Sequence, residues 1–273
     1  MRIQESIYLG VSLVLSFTDE FTGQIISDPG LKVKISEASG SLRKQEGYYV
    51  FTGVPGERAQ VTVESPWYCT ERFEVPIRRE GELLQVQKLR LYPASGHPLV
   101  REATCVYGKV KPNEMIAACC PAAGDYRKLL LDVKKGEEKL VIYSREDEDL
   151  EGNSFYLMKG SSSWGEIIEL GALMKQGMGM YWLKAPLKEN YGKIEARLCI
   201  LHRTRADAEG NYFLPLSRGG NGNREYLFRR QQKNNKKPDE FKVHILEEGV
   251  KNRLDWEETP TAEGIERRCF GWE

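Results

Sequence analysis

The sequence predicts a mostly β protein made of two antiparallel β-sandwich domains and a flexible C-terminal extension. Short runs in which apolar and polar residues alternate recur along the first 217 residues, and this is the period of a strand with one buried face. Glycine or proline stands in nearly every gap between these runs, as turns require. No long segment carries apolar residues at the 3.6-residue period of an amphipathic helix.

The first predicted domain covers residues 1–93. Its alternating runs are 11–17, 31–35, 49–51, 61–63, 73–77 and 84–91. Tyr49 and Phe51 share one face of a strand, and Val61 and Val63 share a face of the next strand. Between these two strands, the segment 54–56 (Val-Pro-Gly) supplies a fixed φ and a permissive glycine, so it predicts a chain reversal.

Four motifs follow one another in a familiar order in this domain. They are TDEFTGQII at 18–26, KVKIS at 32–36, EGYYVFTGVPG at 46–56 and QVTVESPWY at 60–68. In this order they resemble the carboxypeptidase regulatory-like, transthyretin-like β-sandwich, a relative of Ig-like folds. The resemblance covers about a third of the chain and implies no chemistry, because such modules accompany another activity or serve as adhesive, spacer or packing units.

The second predicted domain covers residues 97–217 and is again strand-rich. Its runs are 129–133, 140–143, 155–158, 180–183 and 194–200, which predict a second β-sandwich. One stretch, 164–176, has the length of a short helix, although Gly165 and Gly171 weaken that prediction. Tyr181 and Trp182 are adjacent on a predicted strand and so point to opposite faces, and we expect at least one of them in the core.

The remaining chain is predicted to be an extension. Residues 218–240 are rich in glycine, asparagine and basic side chains, so they predict a flexible linker. Residues 241–273 are predicted as one last strand followed by an acidic tail. In that strand Phe241, Val243 and Ile245 form the apolar face, and His244 points away from it.

Composition excludes several function classes. Lysine plus arginine equals aspartate plus glutamate at 40 each in 273 residues, so no net charge favours nucleic acid. The six cysteines have no zinc-ligand spacing, and a chain of this length predicts free, mostly buried thiols. The apolar run 7–17 follows Glu5, lacks a small-residue cleavage site and is too short to span a bilayer. We therefore expect a cytoplasmic protein, or one released in a particle without a signal peptide.

Catalytic and metal-binding motifs are weak, which predicts a non-enzymatic protein without cofactor or metal. His97 lies beside Pro98 in a predicted linker, and neither it nor His202 or His244 accompanies a nucleophile signature. The segment 147–153 begins like a calcium loop, but Met158 stands where the bidentate acid is needed. An acidic turn without metal is the favoured interpretation, and a triad assembled from distant residues remains open.

Three groups of residues are candidates for binding a partner. Aromatic rings at Trp67, Tyr68 and Trp164 either form a sugar-binding platform or pack in the core, and we favour the core. The basic residues Arg229, Arg230, Lys236 and Lys237 are either a solvated linker or a contact for an acidic patch on another protein. The terminal pair Phe270 and Trp272 either docks on a neighbouring chain or folds back on its own domain.

These observations bear on three functions. The chain has no catalytic motif, and it combines several predicted sandwich modules with basic and aromatic tails. We predict a structural or adaptor subunit that docks on other subunits of a larger assembly, for example a phage-tail-like or contractile injection particle. The alternative is a carbohydrate-binding or adhesive module. A hydrolase with a regulatory sandwich would need His97 or His202 near a carboxylate and a nucleophile.

Overall fold

The computed structural model describes residues 10–35, 38, 40–43, 46–77, 85–121, 126–143, 150–160, 165–175, 179–218, 222–231 and 239–256. Within these ranges the chain is almost entirely β, with no α-helix and a short 3-10 helix at Pro98–Val100, which confirms the predicted mostly β class. No helix among the described residues is long and apolar enough to cross a membrane. The chain divides into two compact units, Met1–Arg101 and Glu102–Glu273.

The N-terminal unit contains two sheets. Its strands are β1 (Val11–Asp19), β2 (Lys32–Ile35), β3 (Gly40–Arg43), β4 (Tyr48–Thr52), β5 (Arg58–Glu64), β6 (Glu71–Pro76) and β7 (Val86–Leu91). One sheet has the strand order β3-β4-β1-β7 and the other β2-β5-β6. All neighbours are antiparallel except β1 and β7, which run parallel.

One hydrophobic core joins the two sheets of this unit. The predicted pairs are buried together in it, Tyr49 and Phe51 from β4 and Val61 and Val63 from β5, so the predicted faces of both strands are confirmed. The predicted turn between them contains Gly56 with φ 83°, a left-handed conformation that favours glycine. The alternation of apolar residues therefore correctly identified which side chains fill this core.

The C-terminal unit contains three sheets. Its strands are β8 (Ala103–Lys109), β9 (Met115–Cys119), β10 (Tyr126–Arg127), β11 (Lys139–Val141), β12 (Ser154–Lys159), β13 (Gly165–Lys175), β14 (Met180–Leu183), β15 (Ala196–Ile200), β16 (His202–Arg205), β17 (Asn211–Arg218), β18 (Asn223–Gln231), β19 (Glu240–Glu247) and β20 (Lys251–Arg253). The strand orders are β10-β15-β12-β13-β14-β11, β16-β9-β18-β19 and β17-β8-β20. Tyr181 is fully buried in this unit whereas Trp182 is exposed, as their adjacent positions on β14 predict.

The structure differs from the sequence at the stretch predicted as a possible helix. The described part of that stretch forms β13, an eleven-residue strand paired with β12 and β14. At Gly165 the backbone passes so close to β12 that an added Cβ would lie 2.2 Å from the Leu157 carbonyl oxygen. The glycine thus permits close strand pairing, which is a second reason, besides poor helix propensity, for a glycine to stand there.

The predicted flexible linker 218–240 also differs from the structure, because its described part contains β18. This strand lies between β9 and β19 and pairs with both. Tyr226, Leu227 and Phe228 are buried along it, so the strand contributes to the core. Three consecutive apolar residues on an inner strand bury both faces, and this local signal outweighs the polar residues on either side.

Candidate functional site

The predicted partner-binding residues of the N-terminal unit do not form an exposed aromatic platform. The side chain of Trp67 is 36% exposed, whereas Tyr68 is buried at 7%. The third ring, Trp164, lies outside the described residues. Because Tyr68 points into the core, its ring is unavailable for stacking on a sugar, and the predicted grouping with Trp67 is not an exposed surface.

Tyr68 instead belongs to a buried polar cluster with Asp19 and His97. Its hydroxyl donates to Asp19 Oδ2 at 3.0 Å, and His97 Nε2 lies 3.4 Å from the same oxygen and 3.2 Å from the hydroxyl. His97 Nδ1 accepts from the Leu99 amide at 3.3 Å, so the ring proton is placed on Nε2, facing Asp19. His97 is therefore a buried residue that begins the 3-10 helix, rather than the linker residue that the sequence predicts.

The cluster brings a histidine, a carboxylate and a hydroxyl together, so its catalytic potential must be considered. Burial, and then the negative charge of Asp19, raise the pKa of Tyr68 above its ordinary value, which makes its hydroxyl a poor nucleophile. The other Asp19 oxygen accepts from the amides of Phe21 and Thr22 at 2.7 and 3.1 Å. The three side chains satisfy one another's hydrogen-bonding groups inside the core. This arrangement stabilises the turn that follows β1 and presents no reactive atom.

The predicted basic run of the C-terminal unit is divided between two faces of β18. Arg229 pairs with Asp239, and its Nε lies 2.8 Å from the carboxylate. Arg230 is 4% exposed and pairs with Glu114 at 2.7 Å and Glu240 at 3.3 Å. Adjacent residues on a strand point to opposite faces, so one arginine is drawn into the interior. Arg230 is thus not a docking residue; Lys236 and Lys237 lie outside the described residues, as do Phe270 and Trp272.

Strand β19, at the edge of the four-stranded sheet, carries an exposed apolar stripe. Phe241, Val243 and Ile245 are exposed, the last at 69%, and we call these three residues the β19 edge. The sequence predicted the reverse orientation, with this face inside and His244 outside. The side chains between them face inward and are held by aromatic rings: the Lys242 ammonium lies 4.7 Å from the centre of the Trp256 ring, and His244 packs edge-on against Phe228.

The backbone of the β19 edge is available for pairing as well. The Glu247 amide donates to Asn252 Oδ1 at 3.1 Å and its carbonyl accepts from Asn252 Nδ2 at 3.0 Å, so both groups point away from β18. Alternate residues of an antiparallel strand point their amide and carbonyl the same way, and the β18–β19 register is unbroken. The amide and carbonyl groups of Phe241, Val243 and Ile245 therefore face the open side of the sheet, where no described strand pairs with them.

His244 has an environment that makes the unit sensitive to acid. Its Nε2 has no hydrogen-bond partner among the described residues. Burial, and then the neighbouring charge of Lys242, lower the pKa of His244 below its ordinary 6.5. The folded form therefore resists protonation of this ring.

We expect His244→Gln to make the unit less sensitive to acid. Because the folded pKa lies below the unfolded one, the contribution of neutral His244 is fully present above about pH 6.5 and is lost as the pH falls through that value. Thermal unfolding midpoints of both proteins between pH 5 and pH 8 should show a wild-type midpoint falling ~2 °C further than that of the variant. Equal pH slopes would contradict this assignment.

The described residues contain no group of three histidine, cysteine, aspartate or glutamate side chains arranged to hold a metal ion. The first three residues of the calcium-loop-like segment, 147–149, lie outside the described residues, and 150–153 form a turn before β12. Comparison with family models gives no match, and comparison with curated proteins gives none either. The described residues are mostly β, and among them the β19 edge is the best candidate site.

Proposed function

We propose that this chain is a non-enzymatic structural or adaptor subunit that docks through its β19 edge on an extended strand of another subunit. The assembly would be of the kind formed by phage-tail-like or contractile injection particles. One observation carries the proposal: the β19 edge combines three exposed apolar side chains with backbone groups that no described strand pairs.

Edge strands of this composition are unusual in proteins that act alone. Natural sheets protect their edges with charges, prolines, bulges or covering loops, because an exposed flat edge pairs with other chains. On the outward face of β19, Phe241, Val243 and Ile245 are uncharged, and the charged Glu247 stands only at the C-terminal end. An added strand would gain main-chain hydrogen bonds from the edge and would place its own apolar residues beside Val243, which is the mode of β-strand addition.

The finer architecture is also a proposal. We propose that the N-terminal unit is a transthyretin-like β-sandwich and that the C-terminal unit contains a second sandwich. For the first, the support is the shared core of the β3-β4-β1-β7 and β2-β5-β6 sheets. For the second, it is the cluster in which residues of the six-stranded and four-stranded sheets are buried together. Sandwich modules serve as packing units in large assemblies, which agrees with a structural role.

The test is the size of the native particle that contains the chain. We expect the tagged wild-type chain to elute in a large particle, and a chain with Val243→Lys and Ile245→Lys to be lost from it, because each lysine places a charge in the proposed interface. We expect binding to neighbouring subunits to weaken at least about tenfold, which corresponds to ~1.4 kcal/mol. Size-exclusion chromatography with light scattering, followed by mass spectrometry of co-eluting proteins, measures this loss and identifies the neighbours.

Ile194→Lys is the matched control, because Ile194 is 93% exposed and lies outside the β19 edge. This variant should co-elute with the same neighbours as wild type, and circular dichroism should show all proteins folded. Retention of the neighbours by the double variant would refute docking through β19. A wild-type chain that elutes as a monomer would instead favour the carbohydrate-binding alternative, for which the exposed ring of Trp182 would be tested on a glycan array.

A further inference from the structure

The outer face of the β17-β8-β20 sheet carries aromatic rings beside basic side chains. On the inner face, Val106 of β8 and Tyr212 and Leu214 of β17 belong to a hydrophobic core. Successive residues of a strand point to opposite faces, so Tyr107 and Phe213 lie on the outer face. Tyr107 is 41% exposed and Phe213 is half-buried. The outer face therefore presents rings to solvent, at a place that the proposed docking does not use.

The strand register places Tyr107 in the middle of a row of planar groups. Tyr107 pairs with Phe213 of β17 on one side and with Arg253 of β20 on the other. The Arg253 side chain is 68% exposed, and its Nε donates to Asp255 Oδ2 at 2.8 Å. This bond uses one of the five guanidinium N–H donors. Arg253 is thus oriented beside the tyrosine and retains donors for an anion.

Two lysines flank this row along the strands. Lys109 follows Tyr107 by two residues on β8, and Lys251 is level with Cys105, two residues before Tyr107. At ~3.3 Å per residue, each lysine is about 7 Å from the row. Lys251 Nζ lies 5.8 Å from the centre of the Phe213 ring, so this side chain extends across β8 on the outer face. We call the following residues the β8 face: Tyr107, Lys109, Phe213, Lys251 and Arg253.

The charges of the β8 face favour a polyanion. Its three basic side chains are accompanied by Asp255, whose other oxygen accepts from the Lys109 amide at 3.1 Å. The whole chain has equal numbers of acids and bases, so this local excess is not visible in the composition. Asp207 and Glu209 lie in the turn that precedes β17 and repel phosphates at that end of the sheet. A polyanion is therefore directed over β8 and β20.

We propose that the β8 face binds single-stranded nucleic acid. Proteins bind such strands by stacking bases on aromatic rings while basic side chains hold the phosphates. Tyr107 is the stacking residue, because its ring is the more exposed of the two. Arg253 beside it supplies a second planar group on which a base stacks. Lys109 and Lys251 contact phosphates on either side of these bases.

Other occupants fit the β8 face less well. The core of a protein interface is depleted of charged residues, whereas three of the five side chains here are charged. A neutral sugar would stack on Tyr107 and leave the cations unused. A duplex keeps its bases within its own stack, so it would meet the cations without covering the ring. A single strand uses both the ring and the charges.

The test is binding of the full-length chain to labelled oligothymidylate and oligouridylate of about 15 nucleotides, within the site size of a single-strand-binding fold. Fluorescence anisotropy measures the affinity at several salt concentrations. We expect Tyr107→Ala to weaken binding at least about tenfold, since one stacked base is lost. Tyr107→Phe keeps the ring and should bind as wild type does. Lys251→Gln should reduce the slope of log K against log salt by about 0.7, the value for one phosphate contact.

Tyr143→Ala is the matched control, because Tyr143 is 62% exposed and lies outside the β8 face. This variant should bind as wild type does, and circular dichroism should show all variants folded. Binding of either oligonucleotide that depends on Tyr107 supports the proposal. The proposal is overturned if neither oligonucleotide binds, if Tyr107→Ala binds as Tyr143→Ala does, or if a duplex of the same length binds equally tightly.

A sulfated polysaccharide provides the remaining comparison, because it is a polyanion without bases. Tighter binding of this polysaccharide than of both oligonucleotides would overturn the proposal and assign the β8 face to acidic sugars. Docking through the β19 edge is tested by its own variants on another sheet, so the failure of either proposal leaves the other standing.

Discussion

Replacing Arg230 with alanine is expected to lower the free energy of unfolding of the C-terminal unit by about 3 to 5 kcal/mol. Arg230 Nε lies 2.7 Å from Glu114 Oε2, and both side chains are almost completely buried. Removing the guanidinium leaves the Glu114 carboxylate in the core without its main counter-charge, and an unpaired buried charge is costly. Denaturant-dependent hydrogen exchange of peptides from β9 and β18 would measure the loss within this unit.

Arg229→Ala is the matched control, because the two arginines are adjacent and of one residue type. The Arg229–Asp239 pair is partly exposed, so its loss should cost less than about 1 kcal/mol. A second variant, Arg230→Met with Glu114→Leu, removes both charges and should recover much of the stability lost in Arg230→Ala. If Arg229→Ala and Arg230→Ala lower the free energy of unfolding equally, burial adds nothing to the Arg230–Glu114 pair. That result would contradict the prediction.

This pair also shows why the prediction of a flexible linker was wrong for the part of 218–240 that forms β18. The basic residues of that stretch suggested a solvated chain, since no acid close in the sequence accounts for burying Arg230. The acid that neutralises Arg230 is Glu114, which stands 116 residues earlier. Nothing in the local sequence indicates such a distant partner. The buried run from Tyr226 to Phe228 was the local signal for a strand, and the surrounding glycines and asparagines concealed it.

Alternation predicted strands better than it predicted their inward faces. In β4 and β5 the more apolar face is the buried one, and the prediction was correct. In β19 the more apolar face is the exposed one, because Lys242 and His244 pack on the rings of Trp256 and Phe228. Alternation with a period of two residues shows that a strand has two different faces. Which of the two is buried depends on the residues that pack against the strand in space. The β19 edge could therefore be found only from the structure.

The polar cluster of the N-terminal unit was missed for a similar reason. Asp19 was seen only as part of a turn motif, Tyr68 as a ring for stacking and His97 as a linker residue. They come from three separate parts of the sequence and meet because the end of β1, the segment between β5 and β6 and the segment after β7 converge. Reasoning from a single sequence detects relations between residues a few positions apart, whereas the residues of this cluster are spread over almost 80 positions.

Asp19→Ala should destabilise the N-terminal unit by about 3 kcal/mol or more, the second large effect that we expect. The substitution removes the acceptor of four contacts: the amides of Phe21 and Thr22, the Tyr68 hydroxyl and His97 Nε2. Each buried donor left without a partner costs about 1 to 3 kcal/mol. Tyr68→Phe removes one of these bonds and leaves the carboxylate with the others, so it should cost only about 1 kcal/mol.

Asp28→Ala separates the buried cluster from the ordinary effect of a turn aspartate. Asp28 Oδ1 accepts from the Gly30 amide at 2.8 Å in a local turn, as Asp19 does with Phe21, but no side-chain hydrogen bond among the described residues joins Asp28 to Tyr68 or His97. Burial and Asp19 raise the pKa of Tyr68 more than the charge of Asp28 does. Its loss should cost about 1 kcal/mol. Hydrogen exchange of peptides from β1 and β5 in urea would compare the variants. If Asp19→Ala falls within about 0.5 kcal/mol of Asp28→Ala, the cluster adds nothing beyond its turn and the long-range contacts are not what holds this unit together.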